Sequence, residues 1–321
     1  MSCEQTTLIT GASGFVGSAL VNELHNRSLR RALRQTSTTP RTGDVIVGDI
    51  GPDTDWTVAL NGIDCVVHLA ARTHVMREHV ADPLTAYRRI NVEATRNLAH
   101  QAAGAGVRRF IFLSTIKVNG EATNTNPFSE HDEPNPRDAY GITKREAETE
   151  LLQIGIQTGM EIVVLRPPLV YGPGVKGNFL KLLQTIARGV PLPLGSVKNQ
   201  RSLVYVGNLA GAIITCMDAP AAAGKVWLVS DGEALSTPAL IGKLAAAMDR
   251  PSHLVPCPPA LLRLASGLIG KYEVASRLTG SLVVDDSRLR QELGWQPRYS
   301  VDQGLIETAQ WYHLFQIKGA L

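Results

Sequence analysis

Tyr140 and Lys144 stand four residues apart in the run Tyr140-Gly141-Ile142-Thr143-Lys144. On a helix they share one face. A free tyrosine ionises near pH ~10 and is a poor proton carrier at neutral pH. An adjacent ammonium stabilises the phenolate and lowers that value. A phenol tuned in this way can give or take the proton that accompanies hydride transfer. The same lysine is placed to hold a nicotinamide ribose. About 25 residues upstream, Leu113-Ser114-Thr115 ends an apolar run with two hydroxyls. Ligands of open parallel sheets bind at such carboxyl ends, so Ser114 or Thr115 is expected to bond the reacting oxygen.

A second constellation opens the chain. Thr10-Gly11-Ala12-Ser13-Gly14-Phe15-Val16-Gly17 has the glycine spacing GxxGxxG, directly after an apolar strand and before a helical pattern. Glycines at Gly11 and Gly14 permit a tight turn and close backbone approach to a pyrophosphate, and Gly17 lets the helix pack on the strand. Amides of Ser13, Phe15 and Val16 at the helix start favour anionic oxygens. An NAD site usually carries an acidic residue at the end of the second strand; here Arg30, Arg31 and Arg34 occupy that stretch. A guanidinium suits a ribose 2′-phosphate. Arg31 and Arg34 therefore point to NADP(H), with NAD(H) as the alternative. Asp49 and Ile50 are expected to bracket the adenine.

These residues require elements to carry them. Short apolar runs at 6–10, 29–34, 45–47, 65–69, 110–113 and 162–165 read as strands, separated by helical patterns at 15–26, 84–103 and 138–158. Strand-helix alternation means parallel pairing with crossovers. The expected fold is α/β, a doubly wound parallel sheet of Rossmann type over residues 1–167, with a smaller mixed C-terminal substrate domain over 168–321. Proline and glycine clusters at 167–177, 189–195 and 251–259 mark the change of texture. Late strands at 203–206 and 226–229 are expected to complete the main sheet, which makes the boundary discontinuous.

Composition excludes several classes. The chain has 321 residues, 44% hydrophobic and 19% charged, and 32 Lys and Arg against 29 Asp and Glu give a formal charge of +3. That excess is too small to argue for nucleic acid. Cys3, Cys65, Cys216 and Cys257 are scattered without a CxxC, which fits a reducing, cytoplasmic setting. No apolar run reaches the ~18–20 residues of a membrane span. Residues 260–270 come nearest, but Arg263 interrupts them, and an ordinary amphipathic helix is expected. His74 and His79 lack the ligand cluster of a zinc site, so no metal is expected. His68, inside an apolar strand, reads as a satisfied core residue.

The segments TGASGFVG, Gly48-Asp49-Ile50, His68-Leu69-Ala70-Ala71, YGITK and Arg166–Gly174 together resemble the extended short-chain dehydrogenase/reductase family, in its nucleotide-sugar epimerase, dehydratase and reductase branch. The resemblance spans nearly the whole chain and is looser in the C-terminal half. It implies that Thr115, Tyr140 and Lys144 are catalytic and that Ser114 lies near the nicotinamide. It implies that Leu69, Ala70 and Ala71 line the cofactor and that Pro167 and Pro168 turn against the carboxamide. On the substrate side it implies Asn178 and Arg201 as contacts to a UDP-sugar, with Arg277 as a second clamp, and a homodimer through the two long helices. Members that dehydrate the sugar carry Asp-Glu after the Ser/Thr; here Ile116 and Lys117 follow, which argues against elimination. Lys117 and Asn119 are expected to face the substrate instead. The resemblance leads to NADPH-dependent reduction of a UDP-linked 4-keto-6-deoxy-N-acetyl sugar for surface polysaccharide. An NAD-dependent 4-epimerase is the alternative, and a non-catalytic NADP-sensing scaffold a further one.

Overall fold

The computed structural model describes residues 5–35, 41–73, 82–268 and 272–319. In chain order its strands are β1 (Thr7–Thr10), β2 (Leu29–Leu33), β3 (Val45–Ile46), β4 (Cys65–His68), β5 (Arg109–Leu113), β6 (Glu161–Arg166), β7 (Leu169–Tyr171), β8 (Arg201–Tyr205), β9 (Lys225–Leu228) and β10 (Ala234–Leu235). Seven form one parallel sheet in the order β3-β2-β1-β4-β5-β6-β9. Their side chains alternate between two cores. Ile9, Val67, Ile111 and Val163 face one side, with Leu20, Ile213 and Trp227. Leu8, Val66, Phe110 and Val164 face the other, with Leu98 and Leu151. Burial on both faces explains why the strand sequences are continuously apolar.

The register aligns the carboxyl ends. Thr10 pairs with His68, His68 with Phe112 and Leu113 with Leu165. The chain winds outward in opposite directions from β1, through β2 on one side and β4 on the other. That reversal opens a crevice over the end of β1, where open α/β sheets bind ligands. The expected doubly wound sheet is therefore present.

Two expectations change. The segment at 225–228 joins the main sheet as its seventh strand, whereas 201–205 does not. β8 instead pairs β7 in parallel and β10 antiparallel in a three-stranded sheet. Pro167 and Pro168 end β6, and a chain without those amide donors leaves the ladder. The helix Val206–Asp218 makes the return, packing Leu209, Ile213 and Cys216 under the main sheet. The helical pattern at 84–103 is the second change. It runs Pro83–Arg88, then a π-helical turn Arg89–Glu93, then Ala94–Gly104.

Helices Gly177–Ala187, Thr237–Ala247 and Val301–Gly319 enclose the third core with Tyr171, Phe179, Tyr205 and Leu244. Asp231 ties it together, accepting from the Tyr171 hydroxyl at 2.9 Å, Tyr205 N at 2.9 Å and Asn208 Nδ2 at 2.8 Å. No helix among the described residues is long and apolar enough to cross a membrane. Cys65, Cys216 and Cys257 are free thiols.

Candidate active site

The glycine turn is shaped as its spacing requires. Gly11 has a φ of 68°, and a Cβ there would lie 2.8 Å from Ala70 N, against the end of β4. A Cβ on Gly17 would lie 2.1 Å from the Gly11 carbonyl oxygen, so the helix Phe15–Glu23 sits directly on the turn. Gly14 N donates to Gly11 O at 2.9 Å. Ser13 and Gly14 are exposed at the crevice, and the first turn of the helix contains no acidic residue. Its leading amides have no partner within the helix and carry partial positive charge. With no room for a Cβ at Gly11 or Gly17 the turn stays tight, and its leading amides fit a dinucleotide diphosphate.

Across the crevice, Leu69 N donates to Thr10 O at 3.3 Å and Ala70 N to Thr10 Oγ1 at 3.2 Å. Ala71 follows at the same edge. Thr10 Oγ1 also lies 2.7 Å from His68 Nδ1, and His68 Nε2 lies 2.9 Å from Thr95 Oγ1. Both ring nitrogens are thus occupied, as expected of a core histidine. Burial, and secondarily Lys144, push this imidazole down to about 3. His74 and His79 lie outside the described residues, and no metal-ligating cluster occurs among those described.

The arginines of β2 divide. Arg34, just past the strand end, is 78% exposed, with Nε 2.7 Å from Asp49 Oδ1. That pair follows the ends of β2 and β3, with Ile50 partly buried next to Asp49. Arg31 has another task. Its Nε and Nη2 donate to Asp44 at 2.7 and 2.5 Å, and only 11% of the side chain is exposed. It also lies three residues back from Arg34, about 10 Å along the strand. The 2′-phosphate role expected for Arg31 is corrected accordingly. Arg30 donates to Ala59 O at 3.0 Å and Asn61 O at 2.6 Å, on the opposite face.

Tyr140 and Lys144 lie on one helix, Ala139–Thr158. Asp138 caps it, accepting from Gly141 N at 2.8 Å. A Cβ on Gly141 would stand 3.1 Å from Lys117 O, so the helix start abuts the turn that follows Thr115. Thr115 caps the short turn Ile116–Val118. Ile116 N donates to Pro167 O at 2.9 Å, which fastens that turn to the end of β6. Thr115, Tyr140, Lys144 and Pro167 therefore converge at one edge of the sheet. Tyr87 meets the Tyr140 ring edge-on at 6.5 Å, and its hydroxyl donates to Thr73 O.

The electrostatics of the pair differ from the expectation. Lys144 Nζ donates to Leu113 O at 2.8 Å and lies 4.2 Å over the Phe112 ring. Burial pushes its ammonium down to about 7, with Glu148 opposing. The Tyr140 phenol is raised above its ordinary value rather than lowered. Burial is the main cause, and Asp138 and Tyr87 act in the same direction. A phenolate loses its hydration in this setting, and a lysine that titrates near neutrality carries only part of its charge.

Three residues expected at the ligand face elsewhere. The Ser114 hydroxyl donates to Glu148 Oε1 at 2.5 Å. Asn119 is buried, accepting from Arg166 Nη1 at 2.9 Å and donating to Ser129 O at 2.8 Å. Its substrate role is corrected on that ground, because both ends of the amide are committed inside the protein. Lys117 Nζ bonds Asp138 and lies 3.1 Å from Glu121 Oε1 rather than projecting outward.

The centre of this inner network escaped the sequence reading. Arg166 Nε and Nη2 grip Glu148 at 2.9 and 2.5 Å, and both residues are buried. Glu148 lies one further helical turn beyond Lys144, and that spacing was the available signal. Asn91, in the π-helical turn, accepts from Arg72 N at 2.8 Å and donates to Thr143 Oγ1 at 3.2 Å, holding the loop after β4 against the tyrosine helix. π-turns recur at functional sites.

On the substrate side, Asn178 is exposed in the first turn of Gly177–Ala187. Arg201 Nη1 donates to Arg277 O at 2.9 Å and to Gly280 O at 3.1 Å, which brings the two expected phosphate clamps together. Arg277 Nε lies 3.9 Å from Glu121. Burial pulls the Arg201 guanidinium below its ordinary value.

Known proteins are similar to this chain over nearly its whole length. UDP-glucose 4-epimerase of Vibrio cholerae is 44% identical over 311 residues, covering 95% of each chain. The solved structure of MoeE5 in complex with UDP-glucose and NAD superposes with a TM-score of 0.78 at 26% identity, covering 97% of this chain and 99% of that one. RMD from Pseudomonas aeruginosa complexed with NADPH gives 0.75 at 25% identity, with the same coverage. The NAD dependent epimerase/dehydratase family model matches residues 7–230, and the chain belongs to that family.

Proposed function

We propose that this protein is a nucleotide-sugar 4-epimerase acting on a UDP-hexose. The observation that carries the reading is the convergence of Tyr140, Lys144 and the Thr115 turn beside the glycine cradle at one sheet edge. A bound nicotinamide supplies hydride exchange and, when oxidised, a positive charge. Tyr140 takes the proton of the C4 hydroxyl as the C–H bond breaks and returns it when hydride comes back on the other face. Thr115 bonds the same oxygen and orients it, and Lys144 stabilises the charge on the phenol. Arg201 and Arg277 hold the diphosphate while the sugar turns. The choice of UDP-hexose rests on the 44% identity to the Vibrio cholerae enzyme across both chains. Ile116 and Lys117, where an eliminating enzyme needs an acid and a base, favour no loss of water.

A second reading keeps the same residues and reduces a 4-keto sugar with NADPH. Arg34 favours it, because an exposed guanidinium rather than a carboxylate stands at the end of β2. One experiment separates the two. The purified protein is incubated with UDP-glucose, UDP-galactose and their N-acetylated and 4-keto counterparts, and products are followed by NMR. Interconversion of C4 epimers without added cofactor supports the first reading; NADPH oxidation in proportion to keto sugar supports the second. Tyr140→Phe is expected to lower turnover about 10²–10⁴-fold under either, with substrate binding kept. Full activity of that variant refutes both.

A further inference from the structure

Thr115 can serve a sugar oxygen only if its place relative to the tyrosine helix is fixed, and the strand ladder stops short of it. Strand β5 ends at Leu113, and its pairing with β6 closes where Ser114 N donates to Leu165 O at 2.7 Å. Beyond that point the neighbouring chain runs into Pro167 and Pro168, which have no amide to donate. Thr115 follows in extended conformation, and Ile116 N still reaches Pro167 O at 2.9 Å. Side chains supply the rest of the anchorage.

Those side chains meet at a buried ion pair. The Ser114 hydroxyl donates to Glu148 Oε1 at 2.5 Å, and Arg166 Nε donates to the same oxygen at 2.9 Å. Arg166 Nη2 holds Glu148 Oε2 at 2.5 Å, and its Nη1 reaches Asn119 Oδ1 at 2.9 Å, on the far side of Thr115 in the chain. Asn119 in turn donates to Ser129 O at 2.8 Å. Ser114, Glu148, Arg166 and Asn119 are all buried. Arg145 stands 3.7 Å from Glu148 and is the more exposed of its two cations. Glu148 lies one turn beyond Lys144 on the tyrosine helix, and Lys144 Nζ donates to Leu113 O at 2.8 Å. Two successive turns of that helix thus grip two successive residues, Leu113 and Ser114, directly ahead of Thr115.

Given the hydride-transfer site described above, we propose that Ser114 is a positioning residue for that reaction: its buried hydroxyl, anchored by the Glu148–Arg166 pair, fixes the Thr115 hydroxyl in the Tyr140 site. Apolar side chains of the same size would fill this space at no greater cost than a buried ion pair, so filling space is not what the pair adds. It adds direction. Apolar packing tolerates a strand end that slides or turns by about an ångström, whereas a hydroxyl bonded to a doubly held carboxylate is confined in distance and angle. Misplacing a reacting group by that much costs up to about a hundredfold in rate. The Ser114 hydroxyl is turned into the protein, so it acts on the reaction through its neighbour.

The test uses the full-length protein as purified, with S114A, T115V and the S114A/T115V pair. In S114A, Glu148 keeps both bonds from Arg166, so the charges stay paired. S114C, close in size with a weaker donor, takes its place if alanine unfolds the protein. Amide hydrogen exchange read by mass spectrometry requires no sugar. Peptides covering 114–120 should exchange about tenfold faster in S114A, with those covering 145–158 unchanged. In turnover, S114A should lower kcat about tenfold with KM changed less than about twofold, and T115V should lower kcat about a hundredfold. The pair should fall no further than T115V, because a residue that acts through Thr115 then has nothing left to place. Unmoved exchange at 114–120, an unmoved kcat or a KM-only effect overturns the proposal. So does a further loss of about tenfold in the pair, which would mean that Ser114 meets substrate or cofactor by itself. If exchange moves as stated but the wild type converts no nucleotide sugar, the proposed function fails and the placing of the Thr115 turn by Ser114 stands.

Discussion

Replacing Lys144 by methionine should stabilise the cofactor-free protein while nearly abolishing turnover. Lys144 is buried and its ammonium is pushed from 10.5 down to about 7. Each pH unit of displacement is worth about 1.4 kcal/mol, so carrying this proton at pH 7 costs the fold about 4 kcal/mol. Methionine matches the stem without the charge. It gives up the bond to Leu113 O and the contact with the Phe112 ring, together worth about 1–2 kcal/mol. A net gain of about 2–3 kcal/mol at pH 7 remains. The sign has a pH signature. With the folded value depressed, the penalty is complete below about 7, falls as pH rises and vanishes above 10.5. Wild type should therefore gain about 2 kcal/mol between pH 7 and pH 9 from this group, and the advantage of the variant should narrow by that amount. Denaturant unfolding of both proteins, stripped of cofactor, at the two pH values measures the difference. Turnover should fall about a hundredfold or more, since Tyr140 loses its cation. A variant less stable than wild type at pH 7, or an advantage that widens with pH, refutes the reasoning.

Other perturbations test neighbouring parts. Gly17→Ala places a Cβ 2.1 Å from the Gly11 carbonyl, a backbone atom that cannot swing aside. It should cost about 1–3 kcal/mol in denaturant unfolding and weaken dinucleotide binding in calorimetry; an unchanged affinity would place the diphosphate elsewhere. Glu148→Gln strands the Arg166 charge in the interior. A loss of about 3–5 kcal/mol is expected from chemical denaturation, and near-neutrality would mean water reaches the pair. Arg34→Ala should lower the ratio of NADP(H) to NAD(H) affinity about tenfold by fluorescence titration, since one charged contact to phosphate is worth roughly 1.5–3 kcal/mol. A constant ratio would mean the 2′ position does not face this guanidinium.

The features legible in the chain were those whose chemistry is local. The glycine turn is a statement about Cβ atoms that cannot fit, and Gly11 and Gly17 meet backbone at 2.8 and 2.1 Å as their spacing implied. Tyr140 and Lys144 share a face because a helix has that period. Unbroken apolar strands called for a sheet covered on both sides, and both cores are there. Illegible were the partners that only tertiary folding supplies. Arg31, read as a phosphate ligand, is held by Asp44, thirteen positions along. Asn119, read as a sugar contact, is held by Arg166, and Lys117 by Asp138. Each is a polar residue near a ligand-binding edge, and spacing says nothing of whether its fork or amide is already engaged. The Tyr140 phenol shows the limit most sharply. Helical spacing places an ammonium near it, but the sign of its displacement depends on burial, which raises the phenol and discharges the lysine at once. The helical period thus fixes which ammonium stands nearest the phenol, while the packing of the surrounding strands and helices fixes the direction in which each of the two is displaced.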